Sequence, residues 1–333
     1  MKPIRVAYVT SGVVAVPYSY CFLMKKLGLE TAFYRRKTWS GYGANSGNPL
    51  NADIRYLEDN KILRYIQVFR MNNEYDILHL HDGGGILEAV FCGHGKAKII
   101  YHFHGSQIRE GMPNFTIFTW IKKIYWMHFG IHSKVIVSTD DLLPHWKGAE
   151  LLLDPIDPML FRTQRVRNTE HPYVLSPHWC DDGIKGTDRV FSAWNILKEK
   201  FPNYSLHVIN WGKDAQRYKS QTKGDTTVVW HEHLPRQEYL KLLSGSTVNW
   251  GEFVIPSNGL TELEAFAMGI PDITGPEVTD VELTERTEKL ILDNNLRSEI
   301  LERQNQIVAK YDPDVLSKKL YDIYMSVLGR EEC

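Results

Sequence analysis

Short apolar runs alternate with amphipathic stretches along the first half of the chain. The runs are continuous in hydrophobic residues and are bounded by Gly, Asp or Ser, which is typical of strands buried on both faces of a parallel sheet. They cover residues 4–9, 77–80, 99–103 and 135–137. Residues 18–27, closed by Gly28, have a helical pattern. Strands that alternate with helices predict right-handed βαβ units and a doubly wound sheet.

The second half repeats this pattern after a polar, basic stretch at residues 162–172, which has no periodicity and predicts a linker. The predicted strands are 173–175, 205–209, 227–230 and 247–250, and the predicted helices are 187–201, 236–243 and 261–268. From about Glu282 onward the pattern is helical. Asp312 and Pro313 are typical of a cap with proline at the first helical position, before a helix over 315–328.

Composition and charge narrow the class of protein. A chain of 333 residues is long enough for two domains, and 43% apolar with 24% charged residues is ordinary for globular proteins. The net charge of −1 provides no general attraction to nucleic acid, so no nucleic-acid partner is expected. The sequence has no secretory signal pattern, no membrane-spanning apolar run and no paired spacing among its four cysteines. We therefore expect a cytoplasmic location.

The strongest candidate for chemistry is the segment 257–271, SNGLTELEAFAMGIP, in which a glycine-containing loop opens a helix. Backbone N–H groups at a helix N-terminus, together with the helix dipole, form an anion site suited to a diphosphate. A carboxylate on that helix can accept hydrogen bonds from both hydroxyls of a ribose. The same residues also fit a capped surface helix, with Glu262 and Glu264 placed favourably near its N-terminus. The residue pattern leaves both interpretations open.

This segment resembles the nucleotide-sugar signature of the GT-B glycosyltransferases of the group 1, or family four, type. Other stretches are similar to motifs of the same family in the same order along the chain. These are Gly12, 75–81 (YDILHLH), 101–109 (YHFHGSQIR), 137–143 (VSTDDLL), 154–161 (DPIDPMLF) and 184–188 (IKGTD). The resemblance covers nearly the whole chain, and the order of the motifs is its specific part.

The resemblance implies a fold of two doubly wound, Rossmann-like domains facing a central cleft. The boundaries that we expect are 1–161 for the acceptor-side domain, 162–172 for the linker, 173–311 for the nucleotide-sugar domain and 312–333 for a C-terminal helix that crosses back to the first domain. It also implies retaining transfer from a nucleotide-diphosphate sugar, without a metal or other cofactor. The acceptor class stays open between a glycan, a lipid-linked sugar and a small molecule.

The resemblance also implies roles for individual residues. Lys185, followed by Gly186, would pair with the donor diphosphate, and Glu264 would hold the ribose. The loop and helix start at Asn258, Gly259, Leu260 and Thr261 would present N–H groups to the phosphates. Gly12 would let the backbone approach a ligand closely, while His104 and Arg109 would face the cleft, with His104 contacting the transferring sugar. We expect His104, Lys185 and Glu264 to be the catalytic residues.

Three positions depart from the family pattern. Pro256 stands where the family usually has a glutamate eight residues before the one matched by Glu264, and Glu252 is nearby but out of register. Cys180 replaces a common arginine five residues before the lysine, and Asp154 replaces an asparagine. These departures motivate one alternative, a donor-binding but inactive partner subunit. A nucleotide-sugar epimerase on the same fold is a second alternative.

Three other features have alternative interpretations. The pairs His79/His81, His102/His104 and His231/His233 each share a strand face, but no third metal ligand is obvious for any pair, so we expect no metal site. The aromatic segment 115–131 fits a helix packed on the sheet better than an interfacial membrane helix, although peripheral membrane contact at the inner face of a membrane stays open. Residues 39–51, rich in Gly, Ser and Asn, fit a loop that closes over an acceptor or a plain connection.

Overall fold

The computed structural model of the chain describes residues 2–10, 15–36, 54–81, 95–105, 134–156, 166, 168, 170–232 and 234–330. The chain divides into two compact units, one formed by Met1–Pro155 with Pro313–Cys333 and the other by Ile156–Asp312. Each unit contains a sheet whose neighbouring strands all pair in parallel. The predicted α/β class with two doubly wound sheets is therefore confirmed.

The strands of the first unit follow one another along the chain in short segments. They are β1 (Arg5–Thr10), β2 (Glu30–Arg36), β3 (Ile54–Leu57), β4 (Ile77–His81), β5 (Lys98–Phe103), β6 (Lys134–Val137) and β7 (Glu150–Leu151). Their order in the sheet is β3-β2-β1-β4-β5-β6-β7. The chain moves outward from β1 to one edge and then returns to continue from β4 to the other. The topological switch point, where ligands bind in such sheets, therefore lies between β1 and β4.

The sheet of the second unit has the same type of topology with fewer strands. They are β8 (Tyr173–Ser176), β9 (Ser205–Ile209), β10 (Val228–His231), β11 (Val248–Trp250) and β12 (Asp272–Ile273), in the order β10-β9-β8-β11-β12. The switch point of this sheet lies between β8 and β11. Consequently the loops that follow these two strands leave the same edge side by side.

The helices within the described residues are α1 (Ala15–Lys26), α2 (Lys61–Glu74), α3 (Asp182–Lys185), α4 (Thr187–Lys200), α5 (Ala215–Gln221), α6 (Arg236–Gly245), α7 (Leu260–Ala267), α8 (Asp280–Leu292), α9 (Asn294–Val308) and α10 (Pro313–Leu328). None of them has both the length and the apolar character needed to cross a bilayer. Pro313 is the first residue of α10, as its missing N–H allows.

The predicted helical spacing of α4 places Val190, Trp194 and Leu197 on one buried face. These side chains pack in the core of the second unit with Val174 of β8 and Trp250 of β11. Core burial of this kind, at roughly 25 cal/mol per Å² of apolar surface, fixes α4 and the loop before it against the sheet. The loop before α4 is the one that contains Lys185.

The two faces of the first sheet differ in chemistry. Leu78, Leu80 and Phe103 point to one face and pack in an apolar core with Met71 of α2. Because strand side chains alternate, Tyr8, His79, His81 and His102 point to the other face, where all four are fully buried. Tyr20 of α1 and Tyr324 of α10 cover this second face. The second face of the first sheet is therefore buried but polar.

Candidate functional site

The loops after β8 and β11 meet at the switch point of the second sheet and are tied together through the backbone. The Phe253 N–H donates to the Lys185 carbonyl at 3.2 Å. Lys185 ends the short helix α3, which Asp181 caps by accepting from the Ile184 N–H at 3.0 Å. Gly186 then takes a left-handed conformation with φ of 69°, and a Cβ there would lie 2.9 Å from the Cβ of Phe253. Only glycine meets both conditions.

Lys185 forms an ion pair with the carboxylate of Glu252. The side chains are 17% and 9% exposed, so the pair lies in a sheltered part of the edge. The family that the sequence resembles usually has a glutamate at the position of Pro256 in this chain. The structure places the carboxylate of Glu252 against the lysine. A negative charge beside Lys185 is therefore supplied from four residues earlier in the same loop.

Glu262 lies behind this ion pair and is fully buried. Its Oε1 accepts from the Glu252 N–H at 2.9 Å and lies 2.9 Å from His178 Nε2, while its Oε2 accepts from the Thr261 hydroxyl at 2.9 Å. Burial alone would raise the pKa of Glu262, but the charge and hydrogen bond of His178, with Lys185 beyond it, hold that pKa well below its usual value. Glu262 is therefore the buried anchor of the loop.

The sequence pattern did not reveal the roles of Glu262 and His178. Glu262 was interpreted only as an acid placed favourably near a helix N-terminus, and no role was predicted for His178. The structure connects them because β8 and β11 are adjacent in the sheet although His178 and Glu262 are far apart in the chain. The contact depends on strand order, which local spacing does not contain.

Glu264, two residues after Glu262 in α7 and on another face of the helix, forms a two-pronged ion pair with Arg236. The Glu264 side chain is 3% exposed and the Arg236 side chain 25% exposed. Arg236 is the first residue of α6 and follows the loop after β10. The carboxylate expected to hold a ribose is therefore pre-positioned by a guanidinium, which fixes both of its oxygens.

Helix α7 begins immediately after Gly259, which brings no side-chain acceptor to the first-turn N–H groups. A Cβ at Gly259 would lie 2.9 Å from Glu262 Oε2 and 3.3 Å from Glu252 Oε1. Glycine is thus needed for the loop to pass the two carboxylates. Asn258, Leu260 and Thr261 are partly exposed around this helix start, on the same loop as Glu252.

In the first unit, His104 follows β5 and has hydrogen-bond partners on both ring nitrogens. Its Nε2 lies 2.8 Å from His81 Nδ1, and its Nδ1 lies 3.1 Å from Ser138 Oγ and 3.2 Å from Asp154 Oδ1. Asp154, at the position where the family has asparagine, therefore contributes a carboxylate beside the histidine. Gly12 and Arg109, the other two predicted site residues of this unit, lie outside the described residues, as do the segments 39–51 and 115–131 and His233.

His104 is the outermost member of a stack of four histidines that also contains His79, His81 and His102. Neighbouring ring centroids are 4.3 to 5.1 Å apart along this stack. Burial lowers the pKa of His79 to about 3, and burial together with neighbouring histidines lowers the pKa values of His81 and His102 well below 6.5. The three inner rings are therefore neutral at pH 7.

The expectation that each histidine pair lacks a third ligand is corrected by the sheet register. His81 of β4 pairs directly with His102 of β5, so the first two pairs form one cluster. Ring nitrogens of His79, His81 and His102 lie within 4.8 Å of one another. A second set of possible ligands, His178, Glu252 and Glu262, lies in the other unit, but there Lys185 already neutralises Glu252.

Comparison with known proteins gives a fold but no close relative. No protein-family model matches the sequence, and no curated protein does. A sucrose-phosphate synthase from Thermosynechococcus elongatus is similar in structure with a TM-score of 0.73 at 12% identity, covering 98% of this chain and 100% of that one. An alpha-glucosyltransferase in complex with UDP and a 13-mer DNA has a TM-score of 0.69 at 12% identity, covering 97% and 100%.

A structure from Listeria monocytogenes named for UDP-N-acetylglucosamine 2-epimerase is also similar, with a TM-score of 0.63 at 13% identity, covering 99% of this chain and 98% of that one. Each of these similarities extends over nearly the full length of both chains. At such low identity they define the architecture alone. This chain has the GT-B fold that its motifs resemble.

Proposed function

We propose that this protein is a glycosyltransferase that moves a sugar from a nucleotide-diphosphate donor to a glycan, lipid-linked sugar or small-molecule acceptor, with retention. The observation that carries the proposal is that Lys185 and the start of α7 meet through Glu252 at the switch point of the second sheet, with Glu264 on the same helix. A cation, a set of helix N-terminal N–H groups and a carboxylate are the three elements that a nucleoside diphosphate requires.

Each element has a separate task in this proposal. Lys185 and Gly186 face the diphosphate, and the ammonium stabilises the negative charge that grows on the leaving group. The N–H groups at Asn258, Gly259, Leu260 and Thr261 donate hydrogen bonds to the phosphate oxygens. Glu264, held by Arg236, accepts hydrogen bonds from the ribose hydroxyls. Gly12, His104 and Arg109 keep the roles that the family resemblance implies.

The reaction proceeds without a dedicated protein nucleophile and without a metal in the donor site. Acceleration comes from orienting donor and acceptor and from stabilising the departing diphosphate. The proposed location is the cytoplasm, and the net charge of −1 supports an acceptor other than nucleic acid. Peripheral contact with the inner face of a membrane would accompany a lipid-linked acceptor.

A panel of UDP-, GDP- and ADP-sugars tests the proposal by release of the nucleoside diphosphate, with Lys185→Ala and Glu264→Ala as active-site variants. We expect slow hydrolysis of one donor without acceptor, faster release with the right acceptor, and a drop of about 100-fold in both variants. Lys213→Ala is the matched control, because Lys213 is an exposed lysine of the same unit that pairs with Asp181. Equal release by Lys185→Ala and the wild-type protein would contradict the proposal.

The epimerase alternative is favoured by the similarity to the Listeria structure and by the His178, Glu252 and Glu262 group beside Lys185. An epimerase would convert the donor to an epimer or free sugar with no acceptor present. Analysis of the sugar product by chromatography therefore separates the two activities. A new epimer in the absence of acceptor, lost in His178→Gln, would replace the transferase assignment.

The inactive-subunit alternative rests on Pro256 and Cys180. It predicts nucleotide binding without turnover on any acceptor. Pro256→Glu is the direct probe, because it restores a glutamate at the family position. A gain of turnover would support a lost catalytic group, whereas unchanged turnover in an active wild-type protein would indicate that Glu252 already supplies the carboxylate beside Lys185.

A further inference from the structure

Three histidines lie on the buried polar face of the first sheet, at the carboxyl ends of β4 and β5. His79, His81 and His102 are each fully buried. Tyr8, Tyr20 and Tyr324 surround them, with Tyr20 5.7 Å from His102 between ring centroids. Polar groups in such a place must be satisfied, because each unpartnered one costs about 1–3 kcal/mol.

Hydrogen bonds set the tautomer of His79. Its Nδ1 lies 2.7 Å from the Tyr324 hydroxyl, and that hydroxyl in turn donates to the Tyr8 hydroxyl at 2.7 Å. Since the Tyr324 proton is used on Tyr8, the Tyr324 oxygen accepts from His79 Nδ1–H. The Nε2 atom of His79 then carries a lone pair and no proton.

Hydrogen bonds also set the tautomer of His81. The Ser138 hydroxyl donates to the Phe103 carbonyl at 3.2 Å, so its oxygen accepts from His104 Nδ1–H at 3.1 Å. His104 Nε2 is then an acceptor, and it takes the proton of His81 Nδ1 at 2.8 Å. The Nε2 atom of His81 therefore also carries a free lone pair.

The lone pairs of His79 Nε2 and His81 Nε2 have no hydrogen-bond donor within the described part of the chain. His79 Nε2 and His81 Nε2 are buried and have no hydrogen-bond partner there, and the buried ring of His102 interacts with the Leu152 backbone by hydrogen bonding. One ring nitrogen from each of the three residues lies within 4.8 Å of the others. Imidazole nitrogens that lie close together, with the opposite nitrogens of His79 and His81 oriented by hydrogen bonds, are a feature of histidine metal ligands.

We propose that His79, His81 and His102 bind one divalent transition-metal ion of the class that imidazole prefers, with Zn²⁺ as the representative ion. Three neutral nitrogen ligands suit Zn²⁺, Co²⁺ or Ni²⁺ and do not suit Mg²⁺ or Ca²⁺, which require oxygen ligands. Because a bound ion lies in the plane of each imidazole ring, metal binding would turn the stacked rings of His79 and His102 out of their near-parallel arrangement. Tyr324 and His104 act as positioning residues that orient the first two ligands.

The proposed ion has a structural role and does not depend on the donor site in the second unit. Its three ligands are fully buried, which gives substrate no access to the metal. Binding would join β4, β5 and, through Tyr324, α10. It would also fix His104 through its hydrogen bond with His81, so the residue expected to contact the sugar would be held by a metal ligand.

Equilibrium dialysis of the chelator-treated full chain against Zn²⁺, followed by elemental analysis, tests the site. We expect about one Zn²⁺ per chain, at least a tenfold weaker binding in His81→Gln and His102→Gln, and a visible d–d absorption when Co²⁺ is used. Tyr324→Phe removes the acceptor for His79 and the donor to Tyr8 but leaves all three ligands in place, and it should weaken binding about tenfold. His171→Gln, at an exposed histidine, should bind as the wild-type protein does.

Two further measurements guard the result against misfolded variants and other sites. Zn²⁺ should raise the Tm of the unmodified protein while Mg²⁺ does not, which requires no substitution. His178→Gln distinguishes the alternative ligand set of the second unit. Zinc content that is equal in the wild-type protein, His81→Gln and His102→Gln, zinc loss confined to His178→Gln, or an unchanged Tm with Zn²⁺ would each overturn the proposal.

Discussion

The two units place polar clusters at the same location, the carboxyl edge of a parallel sheet near its switch point, but they stabilise them differently. In the second unit, Lys185, Glu252, His178 and Glu262 form a network in which the charges are paired. In the first unit, His79, His81 and His102 are neutral, and the Nε2 atoms of His79 and His81 lack a hydrogen-bond partner in the described part of the chain.

This difference separates a site that is ready for an anion from one that is ready for a cation. In the proposed donor site, the paired lysine with helix N–H groups nearby would exchange its carboxylate partner for a phosphate. Buried imidazole lone pairs attract a proton or a metal instead. The two clusters should therefore respond in opposite ways to pH, metal and nucleotide.

The largest expected effect is the loss of stability when Glu262 is removed from the paired network of the second unit. Glu262→Ala removes the buried carboxylate that accepts from the Glu252 N–H, Thr261 and His178. Breaking a buried pair by removing one partner costs about 3–5 kcal/mol, and we expect a loss of this size in the free energy of unfolding. Denaturant titration measures it, with Glu285→Ala, at an exposed position of α8, as a control that should change little. A loss below about 1 kcal/mol would show that Glu262 is not the anchor.

The pH response should be larger in the first unit. His79 stays neutral in the folded chain down to about pH 3, whereas in the unfolded chain it binds a proton below about pH 6.5. The unfolded state thus binds more protons between these values, and stability falls as pH decreases through this window. At pH 5 the expected loss is on the order of 2 kcal/mol for such a histidine.

Hydrogen exchange at pH 7 and pH 5, corrected for intrinsic rates, resolves the two units. Strands β4 and β5 should lose more protection than β8 and β11. Among the described residues, the second unit also contains half-buried histidines, since burial lowers the pKa of His207 to about 4 and also lowers that of His231. Its loss should therefore be smaller but measurable. Equal losses in the two sheets would argue against a special histidine cluster.

The sequence predicted the strands and helices well but did not predict the side-chain contacts within the two clusters. Continuous apolar runs gave the strands, and the helical spacing of Val190, Trp194 and Leu197 gave the buried face of α4. The contact of His81 with His102 could not be predicted, because it depends on the order and register of β4 and β5. The same applies to Arg236 and Glu264, which only the packing of α6 beside α7 brings together.

Glu252→Gln should have a moderate effect, and it should strengthen nucleotide binding rather than weaken it. Neutralising this carboxylate frees the Lys185 ammonium from its present partner, so a nucleoside diphosphate no longer competes with a charged group. We expect about tenfold tighter nucleotide binding, together with slower sugar transfer if Glu252 acts at the reacting centre. Calorimetry and a turnover assay measure the two quantities. Glu238→Gln, at an exposed acid of α6, should change neither.

The smallest effect concerns the geometry of Glu264. Arg236→Lys keeps the charge but loses the planar two-pronged contact, and we expect a cost of about 1 kcal/mol in unfolding free energy. Thermal denaturation is sufficient to detect it. Arg286→Lys, at an exposed position of α8, is the matched control. If both variants had the same Tm, the fork between Arg236 and Glu264 would have no energetic importance.

Calorimetric titration of the chain with UDP-, GDP- and ADP-sugars, alongside Lys185→Ala, tests the central assignment of the donor site most directly. We expect saturable binding of one class of nucleotide sugar, with an affinity that is at least tenfold lower in Lys185→Ala and unchanged in Lys213→Ala. No binding by any nucleotide sugar, or binding that is unchanged in Lys185→Ala, would contradict it.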